Sequence, residues 1–327
     1  MKAYDKQGIS VIICCYNSSA RLPQTLLYLS QQNLKIEREV EIIIVDNAST
    51  DGTAFTVQKE WSKFNAIFAL RIVTETSSGL IYARKRGVEE AKYEYLIFCD
   101  DDNWLENNYL EIAYQSIHEK TNIGAVGGFG IGVTDIEFPD WFAKHQDAYA
   151  VGKQDVTDHQ LLKASYLWGA GLVTRKSLFL KAYAMTPPLL IGRQGNKLSS
   201  GEDAEFTMRL QLLGFDLIYN DKLIYKHYIC PNRLTECYRA RLFSEGSNSS
   251  SDIIGYYQQM LSIDKLTKLA RLKLITNTLF RCLLLPIVSK KHWSFNHESL
   301  TLYFLTGLKI KNMSTEERTI RNLYVNK

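Results

Sequence analysis

The sequence predicts an α/β fold: an open, mostly parallel sheet with helices on both faces, followed by a mainly helical C-terminal extension. Two observations carry this. Through the first 130 residues, runs of Val, Ile and Leu without polar alternation are separated by stretches of helical periodicity, the pattern of parallel strands buried on both faces. Those runs also end in polar or acidic residues, and ligands of open α/β sheets bind outside the carboxyl ends of the strands.

In chain order, "ISVIICCY" (9–16) reads as a buried strand and "ARLPQTLLYLSQQ" (20–32) as a helix. "EVEIIIVD" (39–46) is a second strand, followed by a helix over about 53–62. "AIFALRIVT" (66–74) is the third strand and "GLIYARKRGVEEA" (79–91) a helix. "YLIFCD" (95–100) is the fourth strand, and a helix near 107–118 leads into "IGAVGGFG" (123–130). The second half is less regular. It contains "YLWGAGLVTRKSLF" (166–179), a Pro/Gly-rich loop (186–201), the helix "EDAEFTMRLQLLG" (202–214) and two strand-like pieces, "FDLIYN" and "KLIYKHYI". Beyond residue 234 the pattern is mostly helical, with a turn expected at "SEGSNSSSD" (244–252).

Bulk properties narrow the function classes. With 46% hydrophobic and 23% charged residues the composition is that of a globular protein. A net charge of +4 is too weak to imply nucleic acid, so no nucleic-acid partner is expected. No apolar run approaches the roughly 18 residues of a membrane span, and "MKAYDKQGIS" has no signal-peptide core. Six cysteines lack metal-finger spacing, and Cys14, Cys15 and Cys99 fall in predicted strands, which suits reduced thiols in the cytoplasm.

The strand tips carry the chemistry. Asp100, Asp101 and Asp102 repel one another at the end of an apolar strand, so a positive partner is required. An acidic turn ahead of a helix is the plain alternative; an EF-hand is disfavoured because the carboxylates do not alternate around a central Gly. A Mg²⁺ or Mn²⁺ bound through one carboxylate, Asp102, and through diphosphate oxygens suits hard-cation chemistry, with Asp100 on a ribose hydroxyl. At the second tip, Asp46 precedes a turn in which Ser49, Thr50 or Asp51 caps a helix and Gly52 relaxes the backbone. Asp46 can accept from a base N–H, and Tyr16 can offer a stacking face. In the later helix, Glu202 and Asp203 are acids in a first turn, favoured by the dipole whether or not they react. Glu205 and Arg209 suit an intrahelical ion pair, while Phe206, Leu210 and Leu213 face the core.

"VIICCYN", "VDNASTDGT", "SGLIYARKRG", "FCDDDNW" and "GEDAEF" stand in the order and approximate spacing of family 2 glycosyltransferases, and the chain resembles that family over residues 8–230. The resemblance implies a GT-A fold, with residues 1–233 as the catalytic domain (1–130 the nucleotide-sugar half, 131–233 the acceptor half) and 234–327 as the helical extension. It implies that Tyr16 and Asp46 contact the base with Arg84 near it, and that Asp100 and Asp102 are the acids of the D-x-D motif, with Asp100 and Asp101 on the nucleotide-sugar. It makes Asp203 the general base of an inverting transfer, with Glu202 second. His227 stands where some relatives place a further metal ligand, though a lone histidine also serves as a structural residue. Trp168 and Gly169 stand on the acceptor side, where Trp168 either stacks on a sugar or fills the core. The aromatic segment 138–154 is expected as a loop over the site. The implied cofactor is Mn²⁺ or Mg²⁺, the donor a UDP-linked sugar, and the acceptor a glycan or lipid-linked molecule of cell-surface polysaccharide synthesis.

Between Lys265 and Ser289 there is no acidic residue, and Leu272, Ile275, Leu279 and Leu283 share a helical face. That helix either packs on the catalytic domain or rests on an anionic bilayer at the inner face of the cytoplasmic membrane. Two other functions compete. A nucleotidyltransferase would carry a Gly- and Lys/Arg-rich loop after the first strand, where "CCYNSSARL" has only Arg21. A non-catalytic sugar-nucleotide or glycan-binding module would bind donor without needing Asp203.

Overall fold

A computed structural model describes residues 7–35, 39–65, 68–154, 156–157, 160–161, 166–264, 266–288, 300–301, 303–306 and 313–325. The strands are β1 (Ile9–Cys15), β2 (Val40–Asp46), β3 (Ala69–Thr74), β4 (Tyr95–Asp100), β5 (Asn103–Leu105), β6 (Ile123–Val133), β7 (Val156–Thr157), β8 (Gln160–Leu161), β9 (Val173–Arg175) and β10 (Asp216–Tyr228). The helices are α1 (Leu22–Ser30), α2 (Thr53–Trp61), α3 (Leu80–Glu90), α4 (Tyr109–Ile117), α5 (Phe142–His145), α6 (Lys176–Tyr183) and α7 (Glu202–Leu212). They continue with α8 (Glu236–Arg241), α9 (Asn248–Asp264), α10 (Lys268–Val288) and α11 (Thr315–Val325). Residues 66 and 67 of the third expected strand, Lys265, and the side chains of Arg281 and Leu283 lie outside what is described.

One sheet runs β3-β2-β1-β4-β9-β6-β10-β8-β7, with β5 added on β10. The four strands legible as apolar runs are parallel to one another. From β4 onward the sheet is mixed, because β9 is antiparallel to both neighbours while β6 and β10 run parallel. Ile9, Val11, Ile12, Ile13 and Ile42 to Val45 are fully buried, as strands covered on both faces require. One core lies on each face of the sheet, the first under α1 and α4 and the second under α3, α6 and α7.

Three expectations change. The pieces "FDLIYN" and "KLIYKHYI" form one strand, β10, whose register against β6 shifts between Tyr219 and Ile224, so the polar Asn220–Lys222 stretch is an irregularity within a strand. The turn expected at 244–252 is helical: a π-helical turn (Leu242–Ser247) runs directly into α9. Small residues there serve packing, since Ser250 is buried and lies where a side chain on Gly201 would have to go. Segment 138–154 carries a short helix and a 3-10 turn in place of the expected loop over the site; Asp147 to Ala150 do border the cleft described below, while Phe142, Tyr149 and Val151 build a small core with Ile229, Leu234 and Leu242.

The C-terminal helices share a core with α7, a helix that covers the sheet. Met208 and Leu212 of α7 pack with Tyr257, Met260, Leu261, Phe304 and Ile320. The expected Glu205–Arg209 pair is fully buried at 2.7 Å and is the centre of a wider lattice. Glu205 accepts from the Leu189 and Leu190 N–H groups and from Tyr257 Oη, while Arg209 donates to the carbonyls of Ala182, Thr186 and Pro187. Among the described residues no helix is long and apolar enough to cross a membrane.

Candidate active site

Register brings the first tips together. In β1, Cys14 lies opposite Asp100 of β4 and Cys15 opposite Asp46 of β2, so the two acids flank the end of one strand. The loops that follow are laced to each other. Asn17 N–H donates to Ser49 Oγ (3.0 Å), Thr50 N–H to Asn17 Oδ1 (2.8 Å), Ser18 N–H to Thr53 Oγ1 (2.9 Å) and Ser19 N–H to Asp51 Oδ2 (2.9 Å). Asp51 stands just before Gly52, the N-cap of α2, and accepts from the Thr53 N–H and hydroxyl as well as from the neighbouring loop; these hydrogen bonds hold its carboxyl at about 2 against the opposing pull of desolvation. Asp46 is set one residue back, its Oδ1 accepting from Ser49 N–H at 3.0 Å. Asn47, to which the sequence assigns no role, is buried and pins the next loop: its Nδ2 donates to the Glu75 and Ser77 carbonyls and its Oδ1 accepts from Gly79 N–H.

A cleft of about 1050 Å³ opens at these tips. Tyr16, Asn47, Arg84, Asp100, Asp101, Asp102, Trp168, Gly169, Glu202, Asp203 and His227 all border it. Of the sequence-nominated residues, only Asp46 is not part of this lining.

The three adjacent acids have different partners. Asp101 turns toward α1, where Ser18 Oγ donates to it and Arg21 pairs with it at 2.5 Å. Its main-chain oxygen accepts from Thr25 Oγ1 at 2.8 Å. Asp102 lies beside His227 (Oδ1 to Nε2, 3.4 Å) and Arg233 (Oδ2 to Nη1, 3.0 Å). Burial alone would raise its pKa, but His227, Arg233 and Arg21 outweigh burial and hold it well below the usual carboxylate range. Asp100 is pushed up to about 6 by burial, with Arg84 pulling the other way and Asp102 adding to the rise. The positive charge that the acidic tip requires is therefore supplied by arginines.

The meeting of Asp102 and His227 depends on β5. This short strand pairs antiparallel with β10, setting Asn103 opposite His227 and Trp104 opposite Lys226. Trp104 is stacked between Tyr28 and Tyr228, each with ring centroids at 5.6 Å. His227 is buried and its Nδ1 lies 2.6 Å from the Tyr149 carbonyl. A carbonyl accepts only, so Nδ1 carries a proton, and Nε2 faces the Asp102 carboxylate whose pKa His227 helps to lower. An aspartate carboxylate and an imidazole 3.4 Å apart are two ligand types that a divalent ion takes, while no group of three such side chains stands together among the described residues.

On the opposite bank α7 begins at Gly201. Asp203 Oδ2 accepts from Gly169 N–H and Oδ1 from Ala204 N–H, both at 2.8 Å, which fixes the carboxylate and leaves each oxygen a further lone pair. Glu202 is buried against Arg84 (3.3 Å). Burial and the adjacent Asp203 push its carboxyl up to about 7 in spite of Arg84. Arg84 also lies over the Phe98 ring at 5.3 Å, and a methyl on Gly169 would fall 2.2 Å from its Nη2. Trp168 is half-buried, its backbone N–H donating to Gln154 Oε1 at 2.9 Å. Arg233 and Arg21 are the residues that sequence reasoning missed. Arg233 follows His227 within "KHYICPNR", and a cation so near a nominated metal ligand was the available signal.

Known proteins share this architecture. A family profile described as "Glycosyl transferase family 2" matches residues 10–181. The chain is 23% identical over 246 residues to the putative glycosyltransferase EpsH of Bacillus subtilis (strain 168), which covers 73% of this chain and 66% of EpsH. It thus spans just under two thirds of that relative. Two solved structures resemble the whole chain. One is S. aureus TarS 1–349 in complex with UDP, with a TM-score of 0.51 at 18% identity, covering 98% of this chain and 88% of that one. The other is the mannosyltransferase PcManGT from Pyrobaculum calidifontis in complex with GDP-Man and Mn²⁺, with a TM-score of 0.54 at 16% identity, covering 98% and 85%.

Proposed function

The chain belongs to glycosyl transferase family 2, and we propose that it moves a sugar from a nucleotide-diphospho-sugar, UDP-linked, to a hydroxyl of a glycan or lipid-linked acceptor of cell-surface polysaccharide synthesis, with inversion. The observation that carries this is the presence in one cleft of the acids at the sheet tips and, on the opposite bank, the oriented carboxylate of Asp203. Tyr16 offers its face to the base, and Asp46 and Arg84 stand next to it. Asp100 accepts from the ribose, while Asp101, engaged with Arg21 and Ser18, positions the strand tip.

Asp203 takes the proton of the acceptor hydroxyl as its oxygen attacks the anomeric carbon, and the departing bond's electron pair goes to the diphosphate. Trp168 and the Gly169 turn form the acceptor wall. Asp102 and His227 would hold a Mn²⁺ or Mg²⁺, which when bound stabilises negative charge on the diphosphate. The Mn²⁺ in the mannosyltransferase and the UDP in TarS support these ligand classes. α10 adds a membrane contact: Leu269 and Leu272 are exposed on a helix without acids, beside Lys268 and Lys273.

Nucleotide release from UDP-, GDP- and dTDP-sugars, each with Mn²⁺ and with chelator, tests the reading. Metal-dependent release of UDP is expected; donor binding without turnover on any acceptor would leave a binding module instead.

A further inference from the structure

The acidic tip is already neutralised by the chain itself. Arg21 pairs with Asp101 at 2.5 Å, Arg233 with Asp102 at 3.0 Å, and Arg84 with Glu202 at 3.3 Å. A divalent cation approaching Asp102 and His227 therefore meets a guanidinium on the same carboxylate and a second one, Arg21, close by. Like charges this near oppose each other strongly in a partly desolvated cleft.

Arg233 is also equipped to hold something else. It stands on the short 3-10 turn Pro231–Leu234 between β10 and α8, at the cleft wall. Its guanidinium lies 5.9 Å from the Tyr149 ring and 5.8 Å from the Tyr238 ring. Asp102 takes Nη1, while its buried Nε has no hydrogen-bond partner. The side chain is nonetheless partly exposed to the cleft, and a planar guanidinium matches phosphate oxygens.

We propose that Arg233 makes divalent-cation binding conditional on the nucleotide diphosphate: it opposes a bare cation at Asp102–His227, and the diphosphate, by pairing with it, removes that opposition. This rests on the metal-dependent reading given above. Cation and nucleotide then enter as mutually dependent ligands, each raising the other's affinity by the same factor.

The test measures Mn²⁺ binding to the intact protein by the loss of the free-ion EPR signal, and UDP binding in saturating Mn²⁺ by calorimetry. Arg233→Gln is expected to bind Mn²⁺ alone about tenfold more tightly than the parent and UDP at least tenfold more weakly. These opposite signs are not produced by a loosened site, which would lose both ligands. Arg233→Lys, which keeps the charge, retains the weak affinity for Mn²⁺ alone and serves as the second variant. Unchanged Mn²⁺ affinity in Arg233→Gln, or a parallel fall for both ligands, overturns the inference while leaving metal dependence intact. Absence of Mn²⁺ binding in the parent, with and without UDP, overturns the metal reading and this inference together.

Discussion

The backbone N–H of Gly169 donates a 2.8 Å hydrogen bond to Asp203 Oδ2, tying the turn before β9 to the first turn of α7. With Ala204 N–H on the other oxygen, the carboxylate has one orientation. Asp203→Asn keeps the shape and the donor cleft but cannot take a proton. We expect transfer to fall by about 10²- to 10⁴-fold with UDP affinity nearly unchanged, measured as turnover beside calorimetric UDP binding. Near-normal turnover would remove Asp203 from the base role.

Gly169→Ala tests the crowding at the same turn. A methyl there would meet the Arg84 guanidinium, which is held between Glu202 and the Phe98 ring. The arginine must shift, so donor affinity should fall by about tenfold. The hydrogen bond to the Asp203 carboxylate uses only the main-chain N–H of residue 169 and persists, so the pH profile of turnover keeps its shape.

Glu202 gives stability a pH dependence with a definite sign. Its carboxyl sits at about 7 in the fold against an ordinary 4.5. The folded state therefore holds this proton more tightly than the unfolded one. The resulting stabilisation is complete below about pH 4.5 and is lost as pH rises through about 7, a change of at most about 3 kcal/mol. Denaturant midpoints from pH 5 to 8 should drift downward in the parent relative to Glu202→Gln. Parallel curves for the two proteins would refute the assignment.

Arg209→Met should be the most damaging of these changes to stability. It leaves the Glu205 carboxylate buried without its counter-charge and frees the carbonyls of Ala182, Thr186 and Pro187. Breaking such a pair costs about 3–5 kcal/mol. A lowered thermal midpoint is the readout, and an unchanged one would mean the lattice contributes little.

The double change Leu269→Gln and Leu272→Gln addresses the membrane contact without touching the fold, since both side chains are exposed. Flotation with anionic vesicles should weaken several-fold while the thermal midpoint stays put. Equal partition of parent and variant would show that α10 does not meet lipid.

How far the sequence could be read followed the range of the interactions. β1 to β4 were legible because burial on both faces writes itself as uninterrupted Ile and Val, and their parallel pairing carries the tips to one cleft. β5 was not legible: three residues have no periodicity, and the strand exists because Asn103 and Trp104 find β10 more than a hundred positions later. The same distance hid Arg233, whose pairing with Asp102 closes only when that strand forms. The Ser/Asn tract misled because its residue types favour turns, whereas tertiary packing against Gly201 demands small side chains within a helix.

α7 carries Asp203, the proposed base, at one end and is gripped on two sides, by the sheet through Phe206 and Leu210 and by the C-terminal helices through Met208 and Leu212. A tail grafted from a relative would have to bring matching contacts for Met208 and Leu212, or the graft would tilt the carboxylate. Substitutions at Tyr257, Met260, Leu261, Phe304 or Ile320 are thus coupled through Met208 and Leu212 to the first turn of one helix, a route to the cleft from side chains that do not line it.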